Sequence, residues 1–396
     1  MADLTESLHS EHMVLNMGPS HPATHGTVEF KVTLDGETIV DLEVEIGYLH
    51  RGFEKSCEKG TWEQAFPYTD RLNYCSAIIN NVAYAMAVEK LLGVESTERC
   101  QYIRVITSEL SRMADHYTNI GAGALELGGY SAFLYFVEAR ELVWDLLEKV
   151  CGARLTSNYV RIGGLKNDLP PNFEQDLQEV FKECRKLFHD VDTLLRKNRI
   201  FLDRMRDIGG ISTEEAIAYG FTGPCLRACG MEYDVRKAQP YLVYDRLDFE
   251  IPTGTTGDNF DRYLVRMEEI NQSMRLVEQC LKEMPEGPVN IDDPLIRQAS
   301  KDKVYSKMEE LIDLFILVSE GVKPPKGEVY LPTEGANGEL GFYLVSDGTG
   351  KPLKCRVRPP CFALTQAMPR LCKGSLLADI IPTFDQINLI GGECDR

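Results

Sequence analysis

The sequence predicts an α+β fold: a long-helix bundle with small β-elements near both chain ends. Three observations carry that reading. Alternating apolar residues are confined to the two ends, apolar stripes at helical spacing fill the middle, and no strand–helix alternation suggests a parallel sheet.

Residues 27–46 read as a β-hairpin. Val28, Phe30, Val32 and Leu34 alternate, Asp35-Gly36 supplies a tight turn, and Val40, Leu42, Val44 and Ile46 alternate back. Near 100–118 the period changes, with Ile103, Ile106, Leu110, Met113 and Tyr117 forming a helix stripe. Similar patterns cover 70–92, 131–151, 173–206 and 258–284, with a shorter one near 303–320, and Pro170-Pro171 and Gly209-Gly210 punctuate them. Asp70-Arg71-Leu72-Asn73-Tyr74-Cys75 is expected to open the first long helix. Strands return at the end, where Leu340, Phe342 and Leu344 alternate before Asp347-Gly348, and Leu353, Cys355 and Val357 after it. The expected organisation is one integrated unit of three regions: an N-terminal β-hairpin region (1–60), a helical bundle (61–325) and a C-terminal β-containing region (326–396).

Composition narrows the function. A formal charge of −18 disfavours nucleic acid, whose phosphates require clustered Lys and Arg. No apolar run approaches the roughly 20 residues of a membrane span; the longest, Leu311 to Val318, carries Asp313. The acidic start (Met1-Ala2-Asp3-Leu4-Thr5-Glu6) resembles neither a secretory nor a mitochondrial presequence, so contact with a membrane is expected from the cytoplasmic side, through other chains. Twelve cysteines occur without any Cys-x-x-Cys, the closest pair being Cys225 and Cys229, which predicts reduced, buried thiols.

Five of the seven histidines lie in the first 50 residues, the densest run being Gly18-Pro19-Ser20-His21-Pro22-Ala23-Thr24-His25-Gly26. Its prolines and glycines fix an irregular backbone, as a loop that holds side chains at a pocket requires. Two readings stand: a stiff loop with a hydrogen-bonded His, or a metal site pairing His21 with His25, for which no third ligand is indicated. Gly121-Ala122-Gly123-Ala124-Leu125-Glu126-Leu127-Gly128 fails as a dinucleotide motif because a helix precedes it, and its small residues suggest close helix packing. Gly254-Thr255-Thr256-Gly257 lacks the Lys and Ser/Thr of a phosphate loop. Between Lys351 and Lys373, six basic residues and no acidic ones suggest either docking to an acidic neighbour or a set of intrachain ion pairs.

Over essentially its whole length the sequence resembles the D-type (49-kDa-type) subunits of the proton-pumping NADH:quinone oxidoreductases of respiratory complex I. The matching blocks are Gly18 to Gly26, Gly47-Tyr48-Leu49-His50-Arg51-Gly52-Phe53-Glu54-Lys55, Asp70 to Tyr74, Ala87 to Leu92, Arg161-Ile162-Gly163-Gly164, Glu214-Glu215-Ala216, Tyr343 to Gly348, and Gly392-Glu393 with Asp395-Arg396. That family is related to the large subunit of nickel–iron hydrogenases, and the resemblance extends the fold expectation to that scaffold. The four metal-binding thiolates of those enzymes fall here on Asn73, Ser76, Ile390 and Glu393, so soft-ligand capture of nickel and iron is lost.

The resemblance implies a quinone head in the vacated site, with His25 and Tyr74 as donors to its two carbonyls and Glu126 in place of a family Asp as the partner of His25. Ile390 lines the same slot. Positioned donors stabilise the negative charge that develops on quinone oxygens. Electrons are implied to arrive from a 4Fe–4S cluster in a partner subunit, near Arg51 and Thr156, and to be coupled to proton translocation. Where many relatives carry a His, Thr156 predicts a terminal-cluster potential nearly independent of pH between about 6 and 8, readable by redox titration. The implied partners are a small iron–sulfur subunit of B type, a C-type subunit, a membrane subunit of H type, and quinone. No cofactor or metal is expected on this chain, and the implied location is peripheral, on the cytoplasmic side of the inner (cell) membrane. The alternatives are the equivalent subunit of a ferredoxin- or deazaflavin-dependent relative, or a non-catalytic scaffold.

Overall fold

A computed structural model describes residues 12–297 and 301–396; the acidic Met1–Glu6 start lies outside them. The expected hairpin forms from β2 (Glu29–Asp35) and β3 (Thr38–Glu45), and it gains a strand that periodicity did not reveal, β1 (Met13–Met17), in an antiparallel sheet of order β1-β2-β3. Phe30 opposes Val44 and Val32 opposes Leu42, so one face turns Phe30, Val32, Leu34 and Leu42 inward.

The helical middle contains α1 (Ala77–Leu92), α2 (Glu98–Glu126), α3 (Tyr130–Cys151), α4 (Phe173–Leu195), α5 (Asn259–Glu283) and α6 (Met308–Glu320). Three expectations need correction. Asp70–Cys75 does not open α1: Asn73 accepts the Cys75 amide and turns Tyr74–Ser76 into a single 3-10 turn, and α1 starts only at Ala77. The 173–206 pattern breaks after Leu195, because Asn198 caps a separate short helix, Arg199–Asp203. The 303–320 pattern divides into Lys301–Ser306 and α6.

α2 runs through the centre with 22 buried positions, and the small residues near its end do admit close packing. A Cβ on Gly121 would meet Phe133 and Phe136 of α3. After the two-residue strands β4 (Val160–Arg161) and β5 (Gly164–Leu165), the chain end builds β6 (Gly327–Glu334), β7 (Glu339–Ser346) and β8 (Lys354–Arg358) into a second antiparallel sheet. Four short helices follow, α7 (Pro360–Gln366), Met368–Cys372, α8 (Ile380–Ile387) and α9 (Gly391–Cys394), which the strand-based reading of this region missed.

Two apolar cores result. The larger joins the long helices to β6–β8. The smaller joins β1–β3 to α7–α9 and so brings the two chain ends together. All twelve cysteines are free thiols, buried except for half-buried Cys75. The basic stretch is largely satisfied within the chain. Lys354 pairs with Glu58, Arg356 with Glu54 and Arg370 with Glu215, while Arg358 donates to the carbonyls of Gly220 and Glu339.

Candidate functional site

The His loop is shaped by its own polar side chains. His21 Nδ1 accepts the Ala23 amide at 3.2 Å, Thr24 Oγ1 donates to the Pro19 and His21 carbonyls, and Thr27 Oγ1 donates to the Thr24 carbonyl. His21 is thereby committed to capping a turn. His25 follows it in a left-handed conformation (φ 54°), with its ring 5.8 Å from that of Phe384 on α8. Burial lowers the His25 pKa, and the charge of Glu126 opposes that shift. No hydrogen bond joins the two side chains among the described residues; the last residue of α2 acts on the imidazole through space.

Around this loop the two chain ends clasp. Asp395 accepts the Gly47 and Leu49 amides at 3.0 and 2.8 Å, and His50 Nδ1 lies 2.7 Å from the Asp395 carbonyl. Arg51 donates to the carbonyls of Leu49, Arg71 and Gly392. Glycine is required where these segments cross: a Cβ on Gly392 would sit 2.6 Å from the Arg71 carbonyl, and one on Gly391 would sit 2.6 Å from Thr27. Gly391-Gly392 is therefore the point at which the His loop, the 47–51 block and the 70–74 block converge, with buried Ile390 immediately before it. Tyr74 is half-buried against the smaller core, and burial raises its phenol to about 12. On the other side of the 70–74 block, the loop carrying Thr156 is tied down by the Asn158 amide, which donates to the Asp70 carboxylate.

Beneath Tyr74 lies a buried chain of hydrogen-bonding groups. Asn73 Nδ2 and Asn388 Nδ2 donate to the two oxygens of Asp115, at 2.7 and 2.8 Å. Asn388 and Asn337 bond each other, Asn337 Nδ2 donates to Cys361 Sγ at 3.2 Å, and Cys361 Sγ donates to Glu393 at 2.7 Å. Burial pushes the Glu393 carboxyl up to about 7. Asn73 and Glu393, far apart in sequence, are the two ends of this chain. Asp115, Asn337 and Cys361 were missed by sequence reasoning, since a single polar residue in an apolar pattern gives no sign of its partner.

The described residues contain no group of three or more His, Cys, Asp or Glu placed to hold a metal ion. The side chains that meet here are amides, hydroxyls, carboxyls, an imidazole and the Cys361 thiol, which is already engaged by Asn337 and Glu393, a set suited to donating hydrogen bonds and moving protons. That arrangement sits on an α+β scaffold whose N-terminal sheet and C-terminal helices share one core. A family model described as the 49 Kd subunit of respiratory-chain NADH dehydrogenase matches residues 126–396. The first of the D-type NADH-quinone oxidoreductase subunits of Anaeromyxobacter dehalogenans is 54% identical over all of this chain and 92% of its own length. The Sorangium cellulosum protein of the same name is also 54% identical, over 98% of this chain and 96% of its own. The C/D-type NADH-quinone oxidoreductase subunit of Bdellovibrio bacteriovorus is 50% identical over 98% of this chain and 70% of its length. The chain belongs to the 49 kDa subunit family of respiratory-chain NADH dehydrogenase, a multisubunit NADH:quinone oxidoreductase. Among its described residues, no helix is long and apolar enough to cross a membrane.

Proposed function

We propose that this chain provides the site at which the complex reduces quinone, with His25 and Tyr74 donating to the two ring carbonyls. The observation that carries the reading is the convergence of Thr27, just after the His loop, and Arg71-Leu72, just before Tyr74, on Gly391-Gly392, beside buried Ile390. Charge that builds on the quinone oxygens is stabilised by donors already in place. Tyr74 is too weak an acid to release its proton unaided, so it orients one carbonyl while the imidazole side carries proton traffic. Glu126 tunes that imidazole through its charge.

Electrons reach the quinone from a 4Fe–4S cluster held by a small B-type partner, near Arg51 and Thr156. Both residues flank the 70–74 block, and Arg51 brings positive charge to it. Thr156 has no proton to exchange in this range, while Asp70 beneath its loop is pushed up to about 6 by burial. The fusion of C and D names in the Bdellovibrio relative supports a C-type neighbour. An H-type membrane subunit, attachment to the cytoplasmic side of the inner membrane and coupling to proton translocation complete the reading. The three regions 1–60, 61–325 and 326–396 then act as one unit, the last closing the quinone slot. The fold is that of a hydrogenase large subunit, with Asn73, Ser76, Ile390 and Glu393 where metal thiolates stood.

Tyr74→Phe in membranes tests the assignment. Donor-to-quinone activity is expected to fall by about tenfold or more, the scale of a lost charge-stabilising donor, with donor-to-ferricyanide activity retained. Equal retention of both activities would place Tyr74 outside the quinone site.

A further inference from the structure

α8 carries two successive residues toward the site. Phe384 packs on His25, and Asp385 turns toward α2. A Cβ on Gly123 would lie 3.6 Å from Asp385 Cβ and 4.0 Å from its Oδ2, so the carboxyl occupies space that glycine leaves open. Glu126 follows Gly123 by three residues and so shares its helix face. Asp385 is 4% exposed, and its Oδ2 has no hydrogen-bond partner. One turn earlier on α2, Asn119 donates to the Asp385 carbonyl and leaves its own Oδ1 unpartnered.

The charged groups around Asp385 leave it without a cation. α2 offers Glu126 and the His loop offers His25. From α5, Arg266 donates to Gln386 Oε1, and Arg262 donates to Asn259 and to the Gly209 and Gly257 carbonyls. A buried carboxylate with neither a cation nor a donor is strongly disfavoured, so Asp385 holds its proton. Burial, with the charge of Glu126 adding to it, raises its pKa well above the usual range. His25 is shifted the other way and is mainly neutral at physiological pH. A neutral imidazole has no spare proton; it passes one on only when it receives one.

We propose that Asp385 is a relay residue which, acting through Glu126 and His25, supplies the proton taken up by one oxygen of the reduced quinone. The inference rests on the quinone reading above. The two electrons come from the cluster of the partner subunit. The Asp385 O–H bond breaks as its proton passes to the Glu126 carboxylate. Glu126 protonates one imidazole nitrogen of His25, and the N–H of the other breaks as the quinone O–H forms. Asp385 is left as a carboxylate, to be reprotonated from solvent before the next turnover.

The test compares Asp385→Asn, Asp385→Glu and His25→Ala in membranes holding the whole complex. Asp385→Asn is expected to slow donor-to-quinone turnover by about tenfold or more at neutral and alkaline pH, as loss of proton transfer does. The deficit shrinks at acid pH, where the imidazolium carries its own proton, ferricyanide activity is unchanged, and Asp385→Glu restores the rate. Full activity of Asp385→Asn across pH overturns the relay, as does a pH-independent loss that Asp385→Glu fails to rescue, which marks a packing role. If His25→Ala keeps quinone activity, the quinone reading itself falls; if it loses activity while Asp385→Asn does not, only the relay falls. A second measurement stands even where a variant fails to assemble. Redox-induced infrared difference spectra of the wild-type complex should show a protonated-carboxyl band that changes with quinone reduction and shifts in D2O, and absence of such a band overturns the proposal.

Discussion

Two buried polar regions, both centred on α2, treat the same burial in opposite ways. In the interior, three guanidiniums face four carboxylates. Arg112 and Arg236 converge on Glu109, Arg236 also grips Asp234, and Arg227 bonds Glu269 and Glu334. Glu109 also accepts from Tyr244 and Ser273, and despite its burial it is held down at about 2. Glu334 is the exception that the charge count requires: it shares Arg227 with Asp234, whose repulsion adds to burial and pushes Glu334 up. Under Tyr74 and His25 the buried acids have no such ion pairs among the described residues, since Arg71 and Arg161 act on Asp70, and Arg358 on Glu393, only through space. Glu393 rises to about 7, Asp70 to about 6, and Asp385 well above the ordinary range. The first region fixes charges and therefore structure; the second keeps protons within reach of the site.

Removing a cation from the first region gives the largest expected effect. Arg227→Ala leaves Glu269 and Glu334 without their shared partner and should cost about 3–5 kcal/mol, as breaking a buried pair does. The checking measurement is the amount of this subunit in assembled complex, which should fall sharply; a normal level would break the contrast. Glu393→Gln acts on the second region. A carboxyl raised from 4.5 to about 7 on folding holds its proton across that window, so it makes stability fall as pH rises from 4.5 to about 7. At roughly 1.4 kcal/mol per unit the loss approaches about 3 kcal/mol, and the Gln variant should abolish it. Hydrogen exchange of residues 388–396 as a function of pH reads this directly, and an unchanged slope would mean that Glu393 does not titrate there. The smallest effect is expected at the surface. Arg370→Ala removes the exposed pair with Glu215 and should change stability by less than about 1 kcal/mol, with assembly intact. A clear assembly defect would show that the basic stretch docks a neighbour as well.

The legibility of the sequence followed the range of the interactions. The hairpin at 27–46 and helices such as α2 and α3 were readable because apolar spacing is local and their faces differ. The start of α1 was misplaced because Asn73 diverts the chain through a side-chain cap, and the 173–206 pattern hid its break because Asn198 restarts the apolar stripe in phase. β1 escaped notice because Met13 and Val14 are exposed and do not alternate clearly. His25 stood out in its histidine-rich loop, but its role and the roles of Tyr74, Arg51, Glu126 and Ile390 came from resemblance alone. The hydrogen-bond chain from Asn73 to Glu393 was not readable, because its members come from α1's approach, α2, the β6–β7 turn, α7 and α9. Asp385 had one local sign, an isolated acid within the apolar stretch from Ile380 to Ile390.

The central claim is that quinone binds where the chain ends clasp, and labelling of the intact complex with a photoreactive azidoquinone tests it most directly. Label is expected on residues 18–27, 71–76 and 388–393, and competed by excess quinone. The main rival surface is an apolar groove lined by Val304, Tyr305, Leu311, Phe315 and Val318, beside α6. Competable label confined to that groove, with none near His25 or Tyr74, would contradict the account.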